Sequence, residues 1–264
     1  MTNKNKLPQK LKPFYTKNLL RLGTLRDGGY IINQEILDKS KTLLTFGLFE
    51  EFTFEEDYFK MKPKNRIIVY DHSVNKIFWI KNALKWFFHF IHNQKNFLKI
   101  FGYFSYRKLF KKENVNHYKL RVREHAQKNT NSISIKEIIL KNNIIPKETI
   151  LKIDIDMDEY RLLEDILEFD FMSIVFEFHH TDLLMDKILK FLENSKYKII
   201  HIHGNNFDYP DKNGNPIYLE ITLANTDYIE VSNNYIDYKL PVEKLDFPND
   251  IKRDEIPIIF SSDS

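Results

Sequence analysis

The sequence predicts an α/β fold with a mostly parallel, doubly wound sheet, and two stretches carry this prediction. Residues 42–47 form a short apolar strand that ends in glycine, a helical stretch follows, and a second strand at 66–70 ends at Asp71. This order is typical of nucleotide-binding sheets. Further along, apolar strands at 150–156 and 172–178 flank a predicted helix at 159–168, which is long enough for a parallel crossover.

Composition restricts the class of protein. The chain has 264 residues, 42% of them hydrophobic, enough for the core of one large domain. With 40 basic and 37 acidic residues, charge does not favour a nucleic-acid partner. The absence of cysteine excludes disulfides, thiolate catalysis and Cys-ligated zinc. We predict a cytoplasmic protein without a transmembrane segment, because the most apolar window, 77–91, is short and interrupted by lysines. A homo-oligomer is compatible with the sequence.

We interpret residues 1–264 as a single domain with an N-terminal arm (1–20), a helical insertion (75–112) and an irregular, proline-containing tail (233–264). Apolar residues recur at helical spacing in the insertion, which predicts a helical cover packed on the sheet. The alternative is a surface that touches a membrane or a lipid-linked substrate. The residues of this apolar stripe are Ile77, Ile80, Leu84, Phe87, Phe88 and Ile91.

Acids and imidazoles collect where the predicted strands end. Asp154 and Asp156 alternate with isoleucines in one strand, and Glu177 and His179 share a face of the next. A later strand at 198–203 contains His201 and His203 on one face and is followed by Gly204, Asn205 and Asn206. Because open α/β sheets bind ligands beyond the carboxyl ends of their strands, these residues predict a polar pocket.

Six short motifs, taken in order, carry a family resemblance. They are Arg-Asp-Gly-Gly-Tyr (26–30), Thr-Phe-Gly (45–47), Tyr-Asp-His (70–72), Lys-Ile-Asp-Ile-Asp-Met-Asp-Glu-Tyr (152–160), Phe-Glu-Phe-His (176–179) and His-Ile-His-Gly-Asn-Asn (201–206). Over roughly residues 20–225 the set resembles the FkbM-type S-adenosylmethionine-dependent methyltransferases. The chain departs from that pattern at Leu48 and Phe49, which follow Gly47 without a second glycine, and at Met157, where the family usually has glycine.

The resemblance implies a Rossmann-like class I methyltransferase fold: a mostly parallel seven-stranded sheet, one antiparallel strand near an edge, and helices on both faces. It implies S-adenosyl-L-methionine as cofactor and O-methylation of a sugar hydroxyl, commonly on a nucleotide-linked or surface-polysaccharide (capsule) sugar.

Position at strand tips predicts that Asp71 meets the cofactor ribose and that Gly47 allows close approach of its methionine part. The other expected cofactor contacts are Gly28, Gly29, Glu50, His72 and Asp154, and the expected substrate contacts are Glu177, His180, Asn205 and Asn206. For any one of these, a strand end, a turn or a satisfied buried polar group is the simpler interpretation.

Two mechanisms remain open from the sequence. In one, His179 or His203 is a general base oriented by a carboxylate, with Asp156 beside it. In the other, Mg²⁺ or Mn²⁺ bound by Asp156, Glu177 and His203 lowers the pKa of the sugar hydroxyl. The alternative functions are a metal-dependent hydrolase built on the Asp/His cluster and a non-catalytic nucleotide-binding or lipid-surface module.

Overall fold

A computed structural model describes residues 6–92, 101–124 and 131–261 of the chain. The strands are β1 Leu19–Leu22, β2 Tyr30–Asn33, β3 Thr42–Phe46, β4 Arg66–Tyr70, β5 Val115–Tyr118, β6 Arg121–Val122, β7 Ser132–Ile133, β8 Thr149–Ile153, β9 Ser173–Phe178, β10 Tyr197–Asn205 and β11 Tyr218–Asn225. The α-helices are α1 Gln34–Lys39, α2 Thr53–Met61, α3 Lys76–His92, α4 Gly102–Phe110, α5 Ile135–Asn142, α6 Glu159–Leu167 and α7 Thr181–Glu193.

Seven strands form one sheet in the order β10-β11-β9-β8-β3-β4-β5. Strands β5, β4, β3, β8 and β9 run parallel, and β11 is antiparallel to both of its neighbours. The predicted α/β fold is confirmed: a Rossmann-like, mostly parallel seven-stranded sheet with one antiparallel strand next to an edge. The chain winds outward from β3 through β4 to β5 and returns to β8 on the other side of β3, so a crevice opens between the tips of β3 and β8.

Helices cover both faces of this sheet. Helices α5, α6 and α7 contribute Ile138, Leu162 and Ile188 to the core on one face. Helices α1 and α2 contribute Ile36 and Phe54 to the core on the other. The predicted crossover between β8 and β9 is confirmed as α6, whose amphipathic pattern buries Leu162 and Ile166 against the sheet.

The edge strand β5 was not among the predicted strands. It covers Val115–Tyr118, and the Arg121–Val122 pair just after it joins Ser132–Ile133 in a separate two-stranded sheet. Polar Asn116 and His117 obscure the strand pattern, yet Val115 is buried beside β4.

The described part of the N-terminal arm, from Lys6 onward, packs against the sheet and the tail. Leu7 and Leu11 are buried, Phe14 N donates to Ile199 O on β10, and Leu7 N donates to Ile259 O in the tail. The described part of the tail contains only isolated bridges, one of them joining Leu240 to Ile258. Two apolar side chains and backbone hydrogen bonds therefore hold the arm against the sheet.

Helix α3 turns its predicted packing face outward. Ile77 is 64% exposed, Ile80 61% and Leu84 53%, whereas Trp79 is buried on the opposite side against Phe52. The prediction that the apolar stripe packs on the sheet is therefore wrong, because the helix is apolar on two sides and the larger aromatic side faces inward. The side chain of Ile91 lies outside the described residues. Within the described ranges, no helix combines the length and apolar character that crossing a bilayer requires.

Candidate active site

A cavity of about 570 Å³ opens at the carboxyl ends of β3, β4, β8 and β9, a volume in the usual range for small-molecule sites. Nine of the residues predicted for a site line it: Gly28, Gly47, Asp71, His72, Asp154, Asp156, Glu177, His179 and Asn205. Five others do not: Gly29, Glu50, His180, His203 and Asn206. The described structure thus gathers most of the predicted set around one space.

His179 directly follows β9, and α6 orients its ring. Its Nδ1 lies 3.1 Å from Glu159 Oε1, and its backbone N–H donates to the same oxygen at 2.9 Å. Burial alone would lower the pKa of His179, but the hydrogen bond and charge of Glu159 raise it above 6.5. With Nδ1 held in this way, Nε2 is the nitrogen available to a cavity ligand, 3.6 Å from the exposed Asp156 carboxylate.

Glu159 was not among the predicted site residues, although it belongs to the 152–160 motif. It is the first residue of α6 and fully buried, and its other oxygen, Oε2, has no hydrogen-bond partner among the described residues. An acid in the first turn of a helix is usually read as a favourable interaction with the helix dipole. Only the packing of α6 beside the tip of β9 brings it to an imidazole.

Behind His179, Tyr30 joins two cavity acids. Its hydroxyl lies 3.1 Å from Asp154 Oδ2 and 2.9 Å from Glu177 Oε2, and Asn205 Nδ2 donates to Glu177 Oε1 at 2.7 Å. Burial and the neighbouring charges of Asp154, Glu220 and Asp27 raise the pKa of Glu177 well above its usual range. Tyr30 follows the Asp-Gly-Gly motif, whose sequence indicated only a turn.

Three carboxylates meet at this inner wall. Oxygens of Asp27, Glu177 and Glu220 lie within 4.8 Å of one another, and Asn249 Nδ2 donates to Asp27 and Glu220. Burial, Asp154 and Glu220 raise the pKa of Asp27 to about 6. Of the predicted metal ligands, only Glu177 belongs to this group.

His203 is enclosed between two carboxylates on the antiparallel side of the sheet. Its Nδ1 lies 2.9 Å from Glu220 Oε2 and its Nε2 3.0 Å from Glu255 Oε2. Burial alone would lower the pKa of His203, but Glu220 and Glu255 raise it to about 10. A protonated ring with both N–H groups committed has no lone pair for a proton or a metal, so the predicted roles of His203 do not fit its position.

Gly47 brings the tips of β3 and β8 together. Its φ is +84°, and a Cβ there would overlap the carbonyl oxygen of Asp154.

Both carboxylate oxygens of Asp71, at the tip of β4, accept hydrogen bonds from neighbouring loops. Oδ2 accepts from Leu48 N and Phe49 N, and Oδ1 accepts from Ser73 and Val74 N. Burial alone would raise the pKa of Asp71, but these hydrogen bonds hold it below its usual value. Asp71 therefore shapes the loop, and the neighbouring His72 and Ser73 are the exposed polar side chains that follow it.

The remaining predicted residues point elsewhere. Glu50 accepts from Trp86 Nε1 at 3.0 Å on the side of α3, and Glu51 lines the cavity in its place. Asn206 Nδ2 donates to backbone carbonyls of the tail, among them Asp250 O. His180 has φ +51° and packs edge-on against Tyr218. The space beside Gly29 is filled by the Arg21 side chain.

No protein-family model matches the chain, and no curated protein matches it. Among solved structures, it is similar to methyltransferase FkbM from Methylobacillus flagellatus, with 13% identity over 69% of this chain and 44% of that chain and a TM-score of 0.35. It is also similar to the O-methyltransferase TomG from Streptomyces achromogenes, solved with SAM, with 9% identity over 72% and 75% and a TM-score of 0.37. A third is the fibrillarin pre-rRNA processing protein of Methanococcus jannaschii, with 9% identity over 71% and 67% and a TM-score of 0.40. Similarity at this level does not assign a function.

Proposed function

We propose that this protein is an S-adenosylmethionine-dependent O-methyltransferase that acts on a sugar hydroxyl, in a nucleotide-linked or capsule-polysaccharide sugar, in the cytoplasm. One observation carries the proposal. The His179 imidazole, held through Nδ1 by the buried Glu159 carboxylate, lines a cavity at the strand tips of a sheet with the predicted methyltransferase architecture.

The cavity has the chemistry that the cofactor requires. Leu48, Phe49 and Leu120 supply apolar walls near the tips of β3 to β5, which suit a purine ring. Asp27, Gly28 and Glu51 line the cavity, and the missing Cβ of Gly28 leaves room for the Glu51 side chain. Carboxylates suit an ammonium and a sulfonium. The predicted ribose acceptor, Asp71, does not fit that role, and we assign the ribose to the neighbouring His72.

S-adenosylmethionine, when bound, supplies a methyl group activated by its sulfonium. The chain must then hold the acceptor in line and remove one proton from it. We assign that proton to His179 Nε2. In the methyl transfer that the bound cofactor would supply, the proton of the acceptor hydroxyl would pass to Nε2, and Glu159 would stabilise the resulting imidazolium through Nδ1.

The polar groups that line the cavity with His179 suit a polyhydroxylated acceptor. Asn205 and Tyr218 line the cavity, and Asp154 and Asp156 offer carboxylate oxygens to sugar hydroxyls. Arg121 also lines it and donates from Nε to Asp158 at 2.8 Å, so its charge is already neutralised. The sugar itself is thus the recognised part, rather than a phosphate at this end of the cavity.

Isothermal titration with S-adenosylhomocysteine tests the class of enzyme. The unmodified chain is expected to bind S-adenosylhomocysteine. The Gly47→Ala variant should lose this binding, because the added Cβ would displace the tip of β8. Gly214→Ala is the matched control, because Gly214 also has a positive φ but has open space around it. Formation of S-adenosylhomocysteine with a panel of nucleotide-linked hexoses then tests the acceptor. Failure to bind the cofactor product, together with metal-dependent hydrolysis of the same sugars, would instead establish the hydrolase.

A further inference from the structure

We infer that α3 and α4 form a docking face for an anionic phospholipid membrane surface. This goes beyond methyl transfer and does not depend on it. Two separate observations on the same pair of helices carry the inference: an exposed apolar stripe bordered by lysines, and a basic aromatic cavity between the helices.

The first observation is the outward side of α3. Ile77, Ile80 and Leu84 lie more than half exposed along one line of the helix, and Phe87 continues it at 49%. With about 3.6 residues per turn, Lys76 lies on one flank of this line and Lys81 on the other. Lysines beside an apolar stripe extend their ammonium groups toward lipid headgroups while the stripe enters the acyl boundary.

The inward side of α3 is already occupied. Trp79 packs edge-on against Phe52 and lies 5.0 Å from Tyr106 between ring centroids. Gly102 at the start of α4 allows the close approach, since a Cβ there would lie 3.2 Å from the indole of Trp79. Helix α3 is apolar on both sides, but only the inward side is packed. The outward side is therefore suited to contact with an apolar medium.

Charge indicates which medium. The sequence from Asn75 to Lys112 contains lysines and an arginine but no Asp or Glu, although the overall charge of the chain is only +3. Phe104 is exposed on α4, and Arg107 and Lys108 are exposed beside it. Helices that carry exposed apolar and cationic side chains, and no acid of their own, complement an anionic lipid surface rather than a second copy of this chain, because two copies would bring like charges together.

The second observation is a cavity of about 300 Å³ between α3, α4, the two residues before α3 and Lys119, which follows β5. Its cations are Lys76, Arg107, Lys111 and Lys119, and none of them has a carboxylate partner in the part of the chain that the structure describes. Its walls include the rings of Trp79, Tyr103 and Tyr106. Unneutralised cations around an aromatic space suit a phosphate headgroup.

Vesicle co-sedimentation of the full chain tests the inference. Binding to phosphatidylcholine vesicles containing phosphatidylglycerol is expected, with weaker binding in high salt and little binding to phosphatidylcholine alone. The Ile80→Ser/Leu84→Ser variant should bind about tenfold more weakly or worse. The control is Leu183→Ser on α7, which is 74% exposed but lies outside this face and should bind like the unmodified chain.

A second pair of variants tests the charge. Lys81→Glu and Lys111→Glu should each weaken binding several-fold, whereas Lys136→Glu on α5 should not. Melting temperatures show whether each variant is folded. Absence of vesicle binding, binding that survives all four substitutions on this face, or a concentration-dependent dimer that the Ser variant dissolves would each overturn the inference. Cofactor binding in the same variants should be unchanged, so failure here is separable from failure of the methyltransferase proposal.

Discussion

His179 and His203 are both held by carboxylates in the same sheet, yet their surroundings differ. His179 has one carboxylate at hydrogen-bond distance, on Nδ1, and lines the cavity. His203 has a carboxylate on each nitrogen and lies within the antiparallel part of the sheet, tied to the tail through Glu255. The comparison shows that an imidazole can act as a base where a carboxylate holds one nitrogen and the other nitrogen faces the cavity. Where both are occupied, the same residue becomes a structural cation.

The largest effect should come from His179→Ala. Turnover should fall by about 10²–10⁴-fold, the usual contribution of a general base, while affinity for S-adenosylhomocysteine stays near normal. Steady-state kinetics and calorimetric titration measure the two quantities separately. His203→Gln is the control for the comparison and should retain turnover at a temperature where it is folded. Equal loss of turnover in both variants would contradict the distinction between the two histidines.

Glu159→Gln should cost less turnover than the loss of His179 and should move the pH profile. The base must be neutral to accept a proton, so turnover should rise with pH through the pKa of His179, which Glu159 holds above 6.5. Removing that charge should shift the midpoint of the rise to lower pH. A midpoint that stays in place in the variant would show that Glu159 does not tune this ring.

The enclosed histidine predicts a pH dependence of stability. The pKa of His203 is raised from 6.5 to about 10, so its stabilising contribution is fully present below pH 6.5 and is lost as pH rises toward 10. The contribution is on the order of a few kcal/mol, and each kcal/mol shifts the melting temperature by about 2–4 °C in a domain of this size. Melting curves between pH 6.5 and 10 should show the decline, and His203→Gln should flatten it. An unchanged slope in that variant would assign the decline to other groups.

The smallest effect should come from His180→Ala. His180 was predicted to bind substrate, but it lies outside the cavity lining and packs on the ring of Tyr218. Because it is adjacent in sequence to His179, it is the closest matched control for the base. Turnover within about twofold of the unmodified enzyme is expected, a change well below that of losing a base. A loss comparable to that of His179→Ala would mean that the cavity extends to His180.

Much of the fold could be predicted from local patterns. The crossover unit from β8 to β9 is visible because apolar strands alternate with an amphipathic helix, and Gly47 and Asp71 mark the ends of β3 and β4. The cavity was also predicted in outline, because the carboxyl ends of parallel strands necessarily share one edge. Helix α3 shows the limit: its apolar stripe could be read from the sequence, but which side packs depends on the neighbouring aromatic rings.

By itself, the sequence determined the α/β class, the order of the main strands along the chain and the gathering of acids and imidazoles at one edge. The first two follow from hydrophobic periodicity, and the third follows because the carboxyl ends of parallel strands share one edge of the sheet. The tertiary structure alone decided which imidazole is open. Glu159 and Glu255 reach His179 and His203 from 20 and 52 residues away. A hydrogen bond over such a separation depends on packing, and no local pattern in the chain specifies it.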